Sequence, residues 1–360
     1  MKTTVNNKNI SGSARCGAIL LAAATLLAAT SPAWADKGKA GDRDNDRGRG
    51  RDQDSPACAG KGYIGNAIGD YTLQVIDPPP DTTQIWWVFI NERNMVVMQY
   101  FTEPVVGAAQ GHTAILEDGV WKVIDLPGSF WCGASNPNAS GRVGLVYVLS
   151  EDDNANGIWH NAIYHRGTYT PLPDYTPAAG TPAYQYGVQE INDRGIMTGV
   201  AFDPASDIDP DGTYHYHGLL FDASLSLFHV FDPPGSLSTF AFGLNNAGWM
   251  VGWYLKEDGK SYGFLSDRGQ QIFDLNFPGA DQTWPCSINN RGEIAGQYAE
   301  PDGLYKEFLL RQGKFAKFIM PDTQYNTIDW IVDNGQLSGN YLDLDGKPHG
   351  FIATPKHGRK

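Results

Sequence analysis

One short segment recurs along this chain and limits what it can fold into. Leu244-Asn-Asn-Ala-Gly-Trp-Met-Val-Gly-Trp-Tyr254 matches Ile288-Asn-Asn-Arg-Gly-Glu-Ile-Ala-Gly-Gln-Tyr298 almost position for position. Val332-Asp-Asn-Gly-Gln-Leu-Ser-Gly-Asn-Tyr341 repeats it one residue shorter. Ile191-Asn-Asp-Arg-Gly and Ile90-Asn-Glu-Arg-Asn are further copies, and Asn138-Ala-Ser-Gly is a degenerate one behind Pro137. The anchors stand at 90, about 137, 191, 244, 288 and 332, so the period lies between about 44 and 54 residues. Asn tolerates a left-handed backbone and Gly adopts positive φ freely, so each copy reads as a tight hairpin between two strands.

Two further elements travel with each anchor. A third strand follows, as in His112-Thr-Ala-Ile, His160-Asn-Ala-Ile, His217-Gly-Leu-Leu, Tyr262-Gly-Phe-Leu, Glu307-Phe-Leu-Leu and His349-Gly-Phe-Ile. A fourth ends at proline, as in Trp121–Pro127, Leu227–Pro234, Gln271–Pro278 and Lys314–Pro321. Proline cannot continue a ladder and marks where the chain leaves one sheet for the next. Four strands per unit at this period predict β-propeller blades, and six units predict a six-bladed all-β propeller over 71–354. The final unit stops at its third strand, whereas Tyr71–Ile76 resembles a fourth strand with no unit of its own. The N-terminal strand is therefore expected to complete the last blade and close the ring, removing both sheet edges.

Composition agrees. Gly (42) and Pro (22) make about 18% of 360 residues, charged residues are only 19%, and there are 10 Trp and 17 Tyr. That is a turn-rich β chain with a real core, not a helical bundle. The formal charge of −13 argues against a nucleic-acid surface.

Residues 1–35 carry Lys2, Lys8 and Arg15 and no acid, then an apolar run from Gly17 to Thr30 and Ser-Pro-Ala-Trp-Ala. This is the form of a signal peptide cleaved after Ala35. The run is too short to span a bilayer, which takes about 20 residues. Removing three positive charges takes the net charge from −13 to −16. The expectation is an exported protein, secreted or periplasmic, without a membrane span and monomeric. Residues 36–55 are a mixed-charge, low-complexity stretch and 36–70 together read as a disordered linker and N-terminal extension. Residues 355–360 form a basic tail. Of the cysteines remaining after cleavage, Cys58 and Cys132 are the expected disulfide, leaving Cys286 over.

The repeat resembles the HAF-type extracellular repeat of bacteria over roughly residues 71–353, best in the fourth and fifth units. That resemblance implies export and a propeller-like fold. It implies no defined reaction and brings no catalytic residues.

Candidate chemistry is sparse. Asp207-Ile-Asp209-Pro-Asp211-Gly212 has the D-x-D-x-D-G form of a calcium loop, with His215 beside it as a further ligand. Asp152-Asp-Asn-Ala-Asn156-Gly157 is a weaker variant, and neither has the Glu that closes an EF-hand loop. The bland alternative is a solvated acidic turn, like Asp258-Gly259, Asp302-Gly303 and Asp345-Gly346 in other units. The recurring His112, His160, His217 and His349 read as structural hydrogen-bonders, since equivalent positions on separate blades lie far apart. Trp86, Trp87, Trp131, Trp284 and Trp330 fall on or just before the innermost strands. They either pack between blades or stack on sugar rings at the channel mouth. No nucleophile elbow, zinc-protease helix, phosphate loop or dinucleotide fingerprint is present. The favoured function is a binding module for an extracellular glycan or protein. The alternative is a propeller hydrolase or lyase acting on an extracellular polymer or small ester.

Overall fold

The computed structural model describes residues 63–102, 110–155, 157–177, 184–207 and 213–356. The signal-peptide assignment, residues 36–62 of the linker and extension (Cys58 among them) and 357–360 of the tail fall outside these residues, whereas 63–70, the end of the N-terminal extension, are ordered as a strand, Tyr63–Asn66, and a 3-10 turn, Ala67–Asp70.

Alternating patterns and Asn-Gly turns generate six antiparallel sheets in a ring. From axis to rim, blade 1 is Gln84–Ile90, Val96–Phe101, Gly111–Glu117 and Val120–Val123. Blade 2 is Trp131–Pro137, Val143–Val148, His160–His165 and Thr168–Pro171. Blade 3 is Gln185–Ile191, Ile196–Phe202, His217–Asp222 and Leu227–Phe231. Blade 4 is Ser238–Leu244, Trp249–Leu255, Ser261–Asp267 and Gln271–Asp274. Blade 5 is Gln282–Ile288, Ile294–Ala299, Tyr305–Arg311 and Lys314–Phe318.

In blade 6 the inner strand is broken into Thr323–Asn326 and Trp330–Ile331, which pair with Leu337–Asp343; Pro348–Pro355 comes next. Its outer strand is Tyr71–Ile76, antiparallel to Pro348–Pro355 from Tyr71 opposite Pro355 to Ile76 opposite Gly350. The ring closes as the sequence predicts. One addition was not anticipated: Tyr63–Asn66 runs parallel to the outer strand of blade 5. Asn66 secures it by donating to the Ile319 carbonyl (3.2 Å) and accepting from the Ile319 N–H (3.1 Å).

Burial falls from axis to rim, because inner strands are covered by neighbours on both faces. Ser238–Leu244 is buried throughout, whereas Val120–Val123 at the rim is largely exposed.

The Asn turns are also the joints between blades. Asn245 Oδ1 accepts from the N–H groups of Ala247 and Trp249, both 3.0 Å, and so fixes its own turn. Its Nδ2 donates to the Asn289 carbonyl of the next blade (3.2 Å). Asn91, Asn138, Asn192 and Asn289 make the same bond to the following blade. Gly248 closes the turn at φ +96°, a left-handed conformation that favours glycine. Two registers differ from the sequence alignment. Val332, not Asp333, takes the first-Asn place, since its N–H and carbonyl bond Gln336 and Gly335 as Asn289 bonds Glu293 and Gly292. The last copy is therefore full length from Ile331. In blade 5, Lys306 pairs with Tyr298 as His349 pairs with Tyr341, so Lys306 holds the His place and Glu307 the glycine place.

The recurring histidines are structural on this geometry. His112 Nδ1 meets Asp125 (2.7 Å) and His217 Nδ1 meets Asp232 (2.6 Å), each Asp coming from the segment before the blade-ending proline. His349 faces Asp77 at 3.8 Å, the same pairing made across the ring closure. Both His112 and His217 are held above the ordinary imidazole range, first by these hydrogen bonds.

Candidate functional site

The axial channel has two unlike mouths. At the Asn-turn end the space is about 50 Å³ and polar. Here a second ring of bonds runs outside the first. The N–H groups of Ala139, Asp193, Asn246, Asn290 and Asp333 donate to the side chains of Asp193, Asn246, Asn290, Asp333 and Glu92, at 2.7–3.0 Å. Glu190, buried just inside, accepts from the Leu244 N–H, and burial raises its carboxyl well above the ordinary range. The polar groups of this mouth are spent on joining blades.

At the opposite end the inner strands begin, and a cleft of about 390 Å³ opens between blades 1, 4, 5 and 6. Trp87 of blade 1 and Phe242 of blade 4 approach across the axis, with ring centroids 6.2 Å apart. Trp253 stacks on Phe240 (4.0 Å), and Trp284 lies against Tyr305 (5.5 Å). Trp87, Trp253, Trp284 and Tyr305 are each partly exposed, so their faces form the walls.

The floor carries two carboxyl groups. Glu307 Oε1 accepts from Gln297 Nε2 (2.5 Å) and Oε2 from the Ile328 N–H of blade 6 (3.1 Å). Asp329 Oδ2 accepts from the Val88 N–H of blade 1 (2.8 Å) and from Asn340 Nδ2 (3.0 Å). Each thus joins two blades, as Asn161 does by accepting from the Val188 N–H. They differ from Asn161 in being ionisable: burial pushes Glu307 up to about 8 and Asp329 up to about 7. Among the described residues Asp329 Oδ1 has no hydrogen-bond partner, and neither do Trp86 Nε1 and Asn326 Nδ2 in the same lining. Three orphaned polar atoms in one cleft are unusual, because buried polar groups are normally paired. Cys286 also lines the cleft. Its thiol donates to the Ala295 and Ile328 carbonyls, both 3.4 Å, and burial beside Glu307 and Asp329 keeps it protonated. It is no thiolate nucleophile.

The sequence candidates divide accordingly. Trp86, Trp131 and Trp330 are only 6%, 8% and 5% exposed, which is the packing alternative: Trp86 lies against Phe101, and Trp330 edge-on to Phe89. Trp87 and Trp284 present partly open rings in the cleft. Asp209 and Asp211 lie outside the described residues. Asp207 Oδ2 accepts from the Asp203 N–H (2.6 Å) and meets His217 Nε2 (3.1 Å), while His215 Nδ1 turns to the Leu237 carbonyl (3.1 Å). Glu151–Ala155 forms a helical turn, not the open loop that the second acidic motif implied. Among the described residues no group of three or more His, Cys, Asp or Glu is arranged to hold a metal. Cys132 is fully buried, with its thiol pushed up to about 12, and it is not bonded to Cys286.

Sequence reasoning passed over Trp253, Glu307 and Asp329. A signal existed for the acids. Glu307 stands where other units have Gly, Thr or Asn, and Asp329 is a charge in the break of the blade 6 inner strand, directly before Trp330.

No family model matches the chain, and no curated protein matches it either. Solved propeller structures do resemble it. A streptogramin B lyase is 12% identical, covering 80% of this chain and 100% of the other at a TM-score of 0.44. A gluconolactonase from Xanthomonas campestris is 11% identical, covering 80% and 90%, at 0.46. A TolB from Agrobacterium tumefaciens, described as putative in its own right, is 8% identical, covering 75% and 90%, at 0.47. At such identities no residue of theirs maps onto this site.

Proposed function

We propose that this chain is an exported binding module that takes an extracellular ligand, a glycan in first place, in the wide mouth of its channel. The observation carrying the reading is the cleft itself: partly open Trp87, Trp253, Trp284 and Tyr305 rings around orphaned polar atoms. Sugar rings offer an apolar face for stacking and hydroxyls that both donate and accept. Beneath these rings Trp86 Nε1 and Asn326 Nδ2 are unused donors and Asp329 Oδ1 an unused acceptor, all three buried below the cleft surface. The test is the melting temperature and tryptophan fluorescence of the protein against soluble cello-, chito-, malto- and xylo-oligosaccharides. A ligand at a hundredfold excess over its Kd stabilises the fold by about 2.7 kcal/mol. At least one sugar is expected to raise the melting temperature and quench fluorescence, with both effects diminished in Trp284→Leu. A flat response across the panel overturns the glycan reading.

A second reading, a hydrolase or lyase, is favoured by one observation. Two carboxyl groups with pKa near 7 and 8 share the same cleft, the range in which a general acid or base works best. Turnover of ester or polysaccharide substrates abolished by Asp329→Asn would establish it; binding without turnover would dismiss it.

A further inference from the structure

We infer that the ligand of the wide mouth carries an organic cation, an ammonium group borne on a hydroxylated small molecule or on an amino sugar. The inference rests on the wide mouth being the ligand site and adds what the ligand must present there.

Its walls are indole and phenol faces, whose negative quadrupole attracts a cation more than any neutral group of the same shape. Beneath them lie Glu307 and Asp329, 2% and 1% exposed. Among the described residues neither is paired with a basic group: their partners are the neutral side chains of Gln297, Asn340 and Thr327 and backbone N–H groups. Lys306, the basic side chain at the lip, is committed elsewhere, its Nζ lying 2.5 Å from Glu300, which Lys317 also holds at 2.9 Å. Asp329 Oδ1 is left without a partner. Two acids and no counter-ion under an aromatic surface are half of an ion pair. A cation seated on the rings feels them through a low-dielectric floor, without having to reach an oxygen. A hard metal ion fits less well. It demands six or more oxygen ligands, whereas this cleft offers two carboxyls already bonded to different blades.

Charge recognition here depends on protonation. The titratable and charged groups facing Glu307 and Asp329 are each other, Cys286 on the blade 5 inner strand, Tyr325 on blade 6, and Tyr305 and Lys306 at the lip. Tyr325 is pushed up to about 12 and the Cys286 thiol is raised well above its ordinary value, so both stay neutral near neutrality. The carboxyls are then the groups that ionise as pH rises, and a cation bound above them draws that ionisation to lower pH.

The experiment titrates the protein with choline and with 3,3-dimethylbutan-1-ol, its uncharged isostere, at pH 6 and pH 9, following tryptophan fluorescence. Choline keeps its charge at both values, so any change belongs to the protein. Choline is expected to bind about tenfold more tightly than the isostere at pH 9, with a smaller ratio at pH 6. Asp329→Asn, which retains an oxygen for the Val88 N–H, is expected to shrink the pH 9 ratio toward one. Should that variant fold poorly, the wild-type pH dependence carries the test alone. A glucosamine trimer and an N-acetylglucosamine trimer, compared near pH 7 where the amine and the carboxyls are both partly charged, form the sugar arm. Preference for the former identifies the cation as an amino sugar, and choline binding with no sugar binding identifies a small free ammonium and discards the glycan. Equal binding of choline and its isostere overturns the inference, and leaves the glycan reading intact if a neutral sugar binds. No binding of choline or glucosamine trimer at millimolar concentration also overturns it.

Discussion

The two mouths of the channel are built from the same six inner strands, yet they differ in how their polar groups are used. At the Asn-turn mouth, five Asn side chains each fix their own turn and tie it to the next blade. A second set of bonds follows the same path. At the wide mouth the walls are aromatic, and among the described residues two buried carboxyls have no counter-charge and three polar atoms no partner. The difference teaches a way to read such chains. Residues that recur in every unit hold the ring, because each blade must solve the same docking problem. Residues that break the repeat are free to do something else.

The largest way to test the scaffold half of this contrast is to remove Tyr71–Ile76. That strand supplies the outer ladder of blade 6 and buries Tyr71 and Ile76. Losing two buried side chains at about 1.5–3 kcal/mol each, together with the ladder, should lower the melting temperature by roughly 10 °C. A chain beginning at Pro78 that melts like the full protein would show that the ring does not depend on its closure.

The next effect separates the wide mouth by pH. Glu307 and Asp329 titrate at about 8 and about 7 in the fold, against about 4 for ordinary carboxyls. The folded state therefore holds their protons longer than the unfolded chain does. Stability from keeping them neutral is complete below about pH 4 and is lost as pH rises toward the folded values. Asp329→Asn cannot ionise, so its melting temperature relative to wild type should climb from pH 5 to pH 9. A gap that is constant with pH would mean Asp329 is already charged throughout.

The smallest effect belongs to the rim. His112 and His217 are raised by Asp125 and Asp232, so their contribution is present in full below the ordinary imidazole value of about 6.5 and lost as pH rises through the raised one. Both pairs are partly open to solvent and screened. Asp232→Asn should flatten the stability profile slightly above pH 6.5 and leave ligand binding alone; weakened binding would bring the rim into the site.

This contrast also sets what could be read from sequence. The blade count, the Asn-Gly hairpins and the closure by Tyr71–Ile76 were legible because each rests on local turn chemistry and a period. The registers at Val332 and Lys306 were not, because a valine in an Asn place and a glutamate in a glycine place disguise the repeat; only the ladder settles them. The cleft was harder still. Trp86 and Trp284 look alike in sequence, yet one is buried against Phe101 and the other faces the opening. That difference depends on side chains from opposite blades meeting at the axis, which no local pattern records.

The central claim is that repeated residues hold the ring while the departures bind. It is tested most directly by measuring stability and binding together in Asn245→Ala and Trp284→Leu, with choline and the oligosaccharide panel as ligands. Asn245→Ala strips two bonds from its turn and one from the next blade, at about 1–3 kcal/mol for the groups left unpaired. It should lower the melting temperature by several degrees and leave affinity unchanged. Trp284→Leu keeps an apolar filler but loses the ring face, and should weaken binding about tenfold with little change in melting. If affinity instead follows stability in both variants, or falls in Asn245→Ala alone, the division between scaffold and site is wrong.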